Sequence, residues 1–213
     1  YNGNLTSVFQ LGETLGTNNP IQLSLIYNTN DVVLGHDYGC GLGCKFSYDQ
    51  SIKEVMIENQ LWLEYLDEDG TKHYFYQEVV NGQTIFKDED GLFFTITKDN
   101  ENYKMSRNGQ ENYLFVKHEN IWYLHEIIND EQKKITINRN DQNRIIEVID
   151  DDQKSLVINY ETNKISVSNS IDTCELIYNN NCLVQLVNKR GTTTLEYDNN
   201  KIINRIIDVN GMS

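Results

Sequence analysis
The chain has 213 residues, 38% of them hydrophobic and 10% aromatic. That is enough for one domain or two small ones with a real core, and too apolar for a disordered chain. The formal net charge of −14 makes nucleic acid and anionic membrane surfaces poor partners, because little in the sequence would neutralise phosphate. No apolar run approaches the roughly 18 residues of a membrane-spanning helix.

Alanine is absent, Pro20 is the single proline, and there are 22 isoleucines and 28 asparagines. Alanine favours helices and isoleucine favours strands, so the composition predicts short strands joined by Asn-rich turns and disfavours helical bundles. The first fifty residues predict strands at about 4–10, 21–27 and 43–49 with loops between. Residues 52–66 read as strand, since Val55, Ile57, Leu61, Leu63 and Tyr65 share one parity.

From there the sequence repeats itself. Tyr65–Phe75 carries Asp67-Glu68-Asp69-Gly70, and Phe86–Ile96 carries Asp88-Glu89-Asp90-Gly91, 21 residues later. A third copy surrounds Gly109. Glu126–Asn138 matches Glu147–Asn159, again 21 residues on. Further copies place Gly191 and Gly211 at the same kind of turn, and the copy near Ile171 is degenerate. Each unit reads as strand, tight turn, strand, turn, with Asp-Gly and Asn-Gly supplying positive φ. One hairpin cannot bury a core alone, so successive hairpins must pair edge to edge. The predicted fold is all-β: serial hairpins of about 20 residues forming an extended, curved antiparallel sheet. A leading segment, 1–60, packs on the hairpin repeats of 61–213. The pattern is cut at both ends, which predicts a piece of a longer protein.

Few residues of the sequence point to chemistry. Cys40, Cys44, Cys174 and Cys182 read as buried free thiols or, in a secreted chain, as a disulfide within either pair. Zinc is disfavoured, because Cys40-x3-Cys44 has no nearby second pair or His. The acidic turns Asp67–Asp69, Asp88–Asp90 and Asp150–Asp152 read as solubilising, with weak Ca²⁺ binding as the sharper alternative, but none has EF-hand spacing. The four histidines are scattered, no nucleophile elbow is present, and Gly39–Gly43 lacks the helix and Lys-Ser/Thr of a phosphate loop. No catalytic residue, metal ligand or cofactor is assigned. The aromatics between 62 and 123 read as sheet core or as an exposed strip, with Trp62 and Trp122 the candidate ligand-facing residues.

The second turn of each unit reads Tyr160-Glu-Thr-Asn-Lys164-Ile165, Tyr178-Asn-Asn-Asn-Cys182-Leu183 and Tyr197-Asp198-Asn-Asn-Lys201-Ile202. This resembles the Y-D-x-x-G-R-L repeat of the RHS/YD-repeat family, which includes bacterial RHS and wall-associated polymorphic toxins, Tc toxin shell components and teneurins. The leading segment is similar too. Asn2-Gly3-Asn4-Leu5 resembles the family's G-N-L opening, Pro20–Leu25 with Tyr27-Asn28 its P-L-S-L…Y-N segment, and Gly41-x-Gly43-Cys44 its G-x-G-W motif. Cys44 stands where the family has Trp, and Lys or Cys stands where the repeat has Gly-Arg.

The resemblance implies a β-strip that spirals into a shell around a C-terminal effector. It therefore implies a non-enzymatic structural segment of a secreted or cell-surface bacterial protein, with the effector, absent here, as its partner. The alternative is an adhesive module that binds carbohydrate or cell wall. An enzyme using an acidic pair is the least favoured reading.

Overall fold
In the computed structural model, which describes residues 4–15, 19–107 and 111–208, the chain is all-β. Strands β1 (Thr6–Glu13), β2 (Gln22–Asn28) and β3 (Cys44–Phe46) form a three-stranded antiparallel sheet. Between β2 and β3 lies a short helix, α1 (Thr29–Leu34), where the sequence predicts only loop. The Asn28 side chain accepts from the Asn30 amide at its start, and Gly35 in the left-handed region ends it.

The next eight strands do not form the predicted open sheet. They are β4 (Ser51–Ile57), β5 (Gln60–Leu66), β6 (Lys72–Val80), β7 (Gln83–Asp88), β8 (Phe94–Asp99), β9 (Asn102–Arg107), β10 (Glu111–His118) and β11 (Ile121–Ile128). Each pairs antiparallel with the next, and β11 returns to β4 through Ile121↔Lys53, Trp122↔Ile52 and Tyr123↔Ser51. The result is a closed eight-stranded barrel. Its interior is filled by side chains, among them Leu63, Phe75, Phe86, Ile96, Met105, Phe115 and Leu124, as expected for a barrel of eight strands. The single strand predicted over 52–66 is a hairpin, β4–β5, turning at Glu58-Asn59, both with positive φ. β4 pairs within the barrel, so the sheet of the leading segment ends at Phe46.

Serial hairpins then continue as a strip. It comprises β12 (Lys134–Arg139), β13 (Ile145–Asp150), β14 (Ser155–Glu161), β15 (Lys164–Ser168), β16 (Thr173–Asn179), β17 (Cys182–Asn188), β18 (Gly191–Tyr197) and β19 (Ile203–Ile207), each paired with its neighbour. Strip and barrel share β11, one edge of which is divided. Ile121–Tyr123 pair with β4, and Glu126–Ile128 pair with β12. The strip diverges from the barrel at this fork. Alternate strip residues (Ile135, Ile137, Val148, Leu156, Ile158, Ile165, Val167, Leu176) are buried, and Leu11, Leu23, Leu25 and Tyr27 of the leading sheet belong to the same core.

The turns are of two kinds: two-residue turns, as at Asn81-Gly82 between β6 and β7, and a longer turn with its own cap. An Asp or Asn opens a five-residue turn, and its side-chain oxygen accepts the backbone N–H four residues on. Asp67 takes Thr71, Asn129 takes Lys133, Asn140 takes Arg144, Asp150 takes Lys154 and Asp198 takes Ile202. Asp88 takes Leu92 in the same way. The fourth residue is left-handed: Gly70, Gly91, Gln132, Asn143, Gln153 and Lys201. The predicted two-residue Asp-Gly turns are therefore the third and fourth residues of a longer turn, capped by the preceding Asp. This explains the Asp of Tyr197-Asp198, and Lys201 adopts φ 62° at the position where the repeat pattern has Gly.

Candidate functional site
The repeat-turn tyrosines lie on one side of the strip, and the leading segment sits against them. The Tyr160 hydroxyl donates to the Ile145 carbonyl at 2.9 Å, and the Tyr197 hydroxyl to the Leu183 carbonyl at 2.6 Å. Each of these two tyrosines thus reaches the beginning of the adjacent preceding strand, β13 or β17, and ties its own strand end to it. The Tyr178 hydroxyl is buried and has no hydrogen-bond partner among the described residues. Burial, with Cys40 and Cys44 beside it, raises its pKa.

The glycine-rich loop 37–44 docks on this row. The Leu42 amide donates to the Asn181 carbonyl at 2.9 Å, and the Asn181 side-chain amide donates to Asp37 Oδ2 at 2.8 Å. Asp37 Oδ1 in turn accepts the amides of Gly39 and Gly41. Gly41, at φ 99°, leaves no room for a side chain, since a Cβ there would stand 2.6 Å from Tyr178 Cε1. Nearby, the Ile203 amide donates to the Tyr27 hydroxyl at 3.1 Å. The G-x-G and Tyr-Asn elements of the leading segment therefore meet the turns of the repeats directly.

A second contact joins the leading segment to the barrel. Lys45 is buried, and its ammonium donates to the Asp67 and Glu68 carbonyls of the β5–β6 turn. Burial lowers its pKa, opposed by Asp49, Asp67 and Asp69. Gly70 of that turn lies against Lys45 and Asp31. Both ring nitrogens of His73 face carboxylates, Asp67 at 2.9 Å and Asp90 at 3.0 Å. Burial alone would lower the His73 pKa, but these two hydrogen bonds outweigh it and raise it. Sequence reasoning missed Lys45, since a lysine between Cys44 and Phe46 reads as the solvent side of a strand.

At the opposite end of the barrel Glu54 points inward. It accepts the Tyr103 hydroxyl at 2.6 Å and Lys98 Nζ at 3.2 Å. Burial works to raise its pKa, but those hydrogen bonds and the charges of Lys98 and Lys117 lower it below the ordinary 4.5. A depressed carboxylate contributes stability in full above its unfolded pKa and loses it as pH falls through the folded value. Stability in urea should therefore fall as pH drops below 4.5, and Glu54→Gln should flatten that part of the profile. Parallel wild-type and variant profiles in that range would contradict this account.

Trp122 is not ligand-facing: it is 3% exposed inside the barrel, and its indole N–H donates to the Glu101 carbonyl at 2.6 Å. Trp62 is on the outer wall, half-buried and edge-to-face with Tyr76, ring centroids 5.9 Å apart. Gly91 caps its turn in open space, and Gly191 opens β18 at φ 135°. Gly109 and Gly211 lie outside the described residues. No group of three or more metal-ligating side chains occurs among the described residues. In the acidic turns Asp67, Asp88 and Asp150 each accept backbone amides.

All four cysteines are free and buried. Burial raises the pKa of each, that of Cys174 to about 11. The native protein should therefore resist iodoacetamide at about pH 8, close to the pKa of an ordinary thiol, and take up four labels once unfolded. Rapid labelling of the native protein, or a disulfide found by mass, would sink this assignment. No protein-family model matches the chain, and no curated protein matches its sequence.

Proposed function
We infer that the chain is a non-enzymatic structural segment of an RHS/YD-type shell in a secreted or cell-surface bacterial protein, helping to enclose or present a C-terminal effector. The observation that supports this most is the seating of the leading segment on the repeat turns. Loop 37–44 meets Tyr178 and Asn181, and Tyr27 meets Ile203. A segment that packs along a hairpin strip, against the turns of β16–β19, makes such contacts.

The strip β12–β19 is the part that would continue as the extended, curved sheet. β18 covers one edge of β19, and the other edge can receive a further hairpin. The barrel, its interior filled by side chains such as Leu63, Phe75 and Phe115, anchors the first strand of the strip. The test is the reading frame beyond Ser213. Further Tyr-anchored repeats of about 20 residues, followed by an unrelated C-terminal segment, are expected. A stop codon shortly after Ser213 would overturn the proposal.

A further inference from the structure
A cleft of about 720 Å³ separates one mouth of the barrel from the leading sheet. This lies within the range of small-ligand sites, about 300–1,000 Å³. One wall is the face of β2 that carries Gln22 and Ser24. The facing wall is the barrel mouth, with Phe94, Arg107, Glu111 and Tyr113. Phe94 and Tyr113 are half-buried and meet edge to face, with centroids 5.8 Å apart. Arg107 lies over the Phe94 ring at 5.7 Å. The Tyr113 hydroxyl donates to Glu111 Oε2 at 2.7 Å and orients that carboxylate. Gln50 and Tyr65 are buried at the base and hydrogen-bond each other at 2.7 Å.

The lining selects a ligand class. Amides and carboxylates among the aromatics make a poor pocket for a lipid. Arg107 is outnumbered by Asp67, Glu68, Asp69 and Glu111 along the lining, so a phosphate or polyanion is repelled. Planar amide, carboxylate and guanidinium groups present paired donors or acceptors, which match neighbouring hydroxyls. The aromatic rings can cover the apolar C–H face of a sugar. We propose that this cleft binds a short, uncharged saccharide. The inference is independent of the shell proposal, which assigns the cleft no role.

Saturation-transfer NMR on the whole chain, with cellotetraose, maltotetraose and chitotetraose as probes at up to about 10 mM, tests it. At least one probe should receive saturation. Glu111→Gln, which preserves shape, should weaken that probe about tenfold, the loss expected when a hydrogen bond to a charged group is removed. Phe94→Ala should abolish the signal, and Trp62→Ala, on the outer wall, should leave it unchanged. Absence of transfer from all three probes would overturn the proposal. Undiminished binding by Glu111→Gln would also overturn it, as would loss of binding in Trp62→Ala.

Discussion
Replacing Arg139 by Ala should destabilise the protein by about 3–5 kcal/mol, the cost of stranding one partner of a buried ion pair. Arg139 sits at the fork where β12 leaves the barrel. Its guanidinium donates to Asp49 Oδ1 at 2.8 Å, to the Asn143 carbonyl at 3.0 Å and to the Tyr48 carbonyl at 3.5 Å. It also lies 4.9 Å over the Tyr123 ring. The side chains of Arg139 and Asp49 are only 11% and 13% exposed, so water cannot replace what is lost. Its Nε is buried without an acceptor, which places the net effect at the lower end of that range. Arg139→Lys keeps the charge but not the fork of donors, and should recover only part of the loss. Because the residue joins strip to barrel, the Ala variant should also unfold less cooperatively. Trp122 fluorescence, reporting the barrel, and far-UV circular dichroism, reporting all strands, should then give separate urea midpoints. Coincident midpoints with a loss below about 1 kcal/mol would reduce Arg139 to a surface ion pair.

The strip was legible in the sequence because its signals are local. Ile135/Ile137, Leu156/Ile158 and Ile165/Val167 alternate as half-buried strands must, and their burial follows that alternation. The Asx residues that cap the turns stand at fixed offsets from the strands, so turn positions could be read even where the turn type could not. Barrel closure is different. It depends on Ile52 pairing with Trp122, far apart in the chain, through only three residue pairs between β4 and β11. Nothing in either segment marks the other as its partner. The two tryptophans show the same limit. Trp62 lies between Leu61 and Leu63, and Trp122 between Ile121 and Tyr123, so apolar runs conceal the parity. Only the register places Trp122 inside with Ile52 and Trp62 outside with Tyr76. Lys45 and Arg139 escaped for a further reason: Lys45 bonds backbone carbonyls of a distant turn, and Arg139 bonds Asp49 and the Tyr48 carbonyl about 90 residues away, which no local pattern announces.

Gly41→Ala should be comparably damaging, at about 3 kcal/mol, and it tests whether the leading segment is clamped to the repeat turns. Two costs combine. At φ 99° an L side chain is strained by roughly 1–2 kcal/mol. The new methyl would also stand 2.6 Å from Tyr178 Cε1, 3.1 Å from Cδ1 and 3.3 Å from the Asn181 carbonyl, and overpacking of this kind costs about 1–3 kcal/mol. A double-mutant cycle separates them. Tyr178→Leu removes the ring atoms that the methyl would strike, and with them the orphaned hydroxyl. In that background Gly41→Ala should keep the backbone strain and the approach to the Asn181 carbonyl but lose the clash with the ring, leaving a coupling of about 1–2 kcal/mol between the two sites. Equal costs in both backgrounds would mean that the loop does not press on the tyrosine. The contact that supports the shell proposal would then carry no energy. A measured coupling would show that the glycine of the leading segment and the tyrosine of the repeat turn act as one joint, and that the leading segment is held against the turn between β16 and β17.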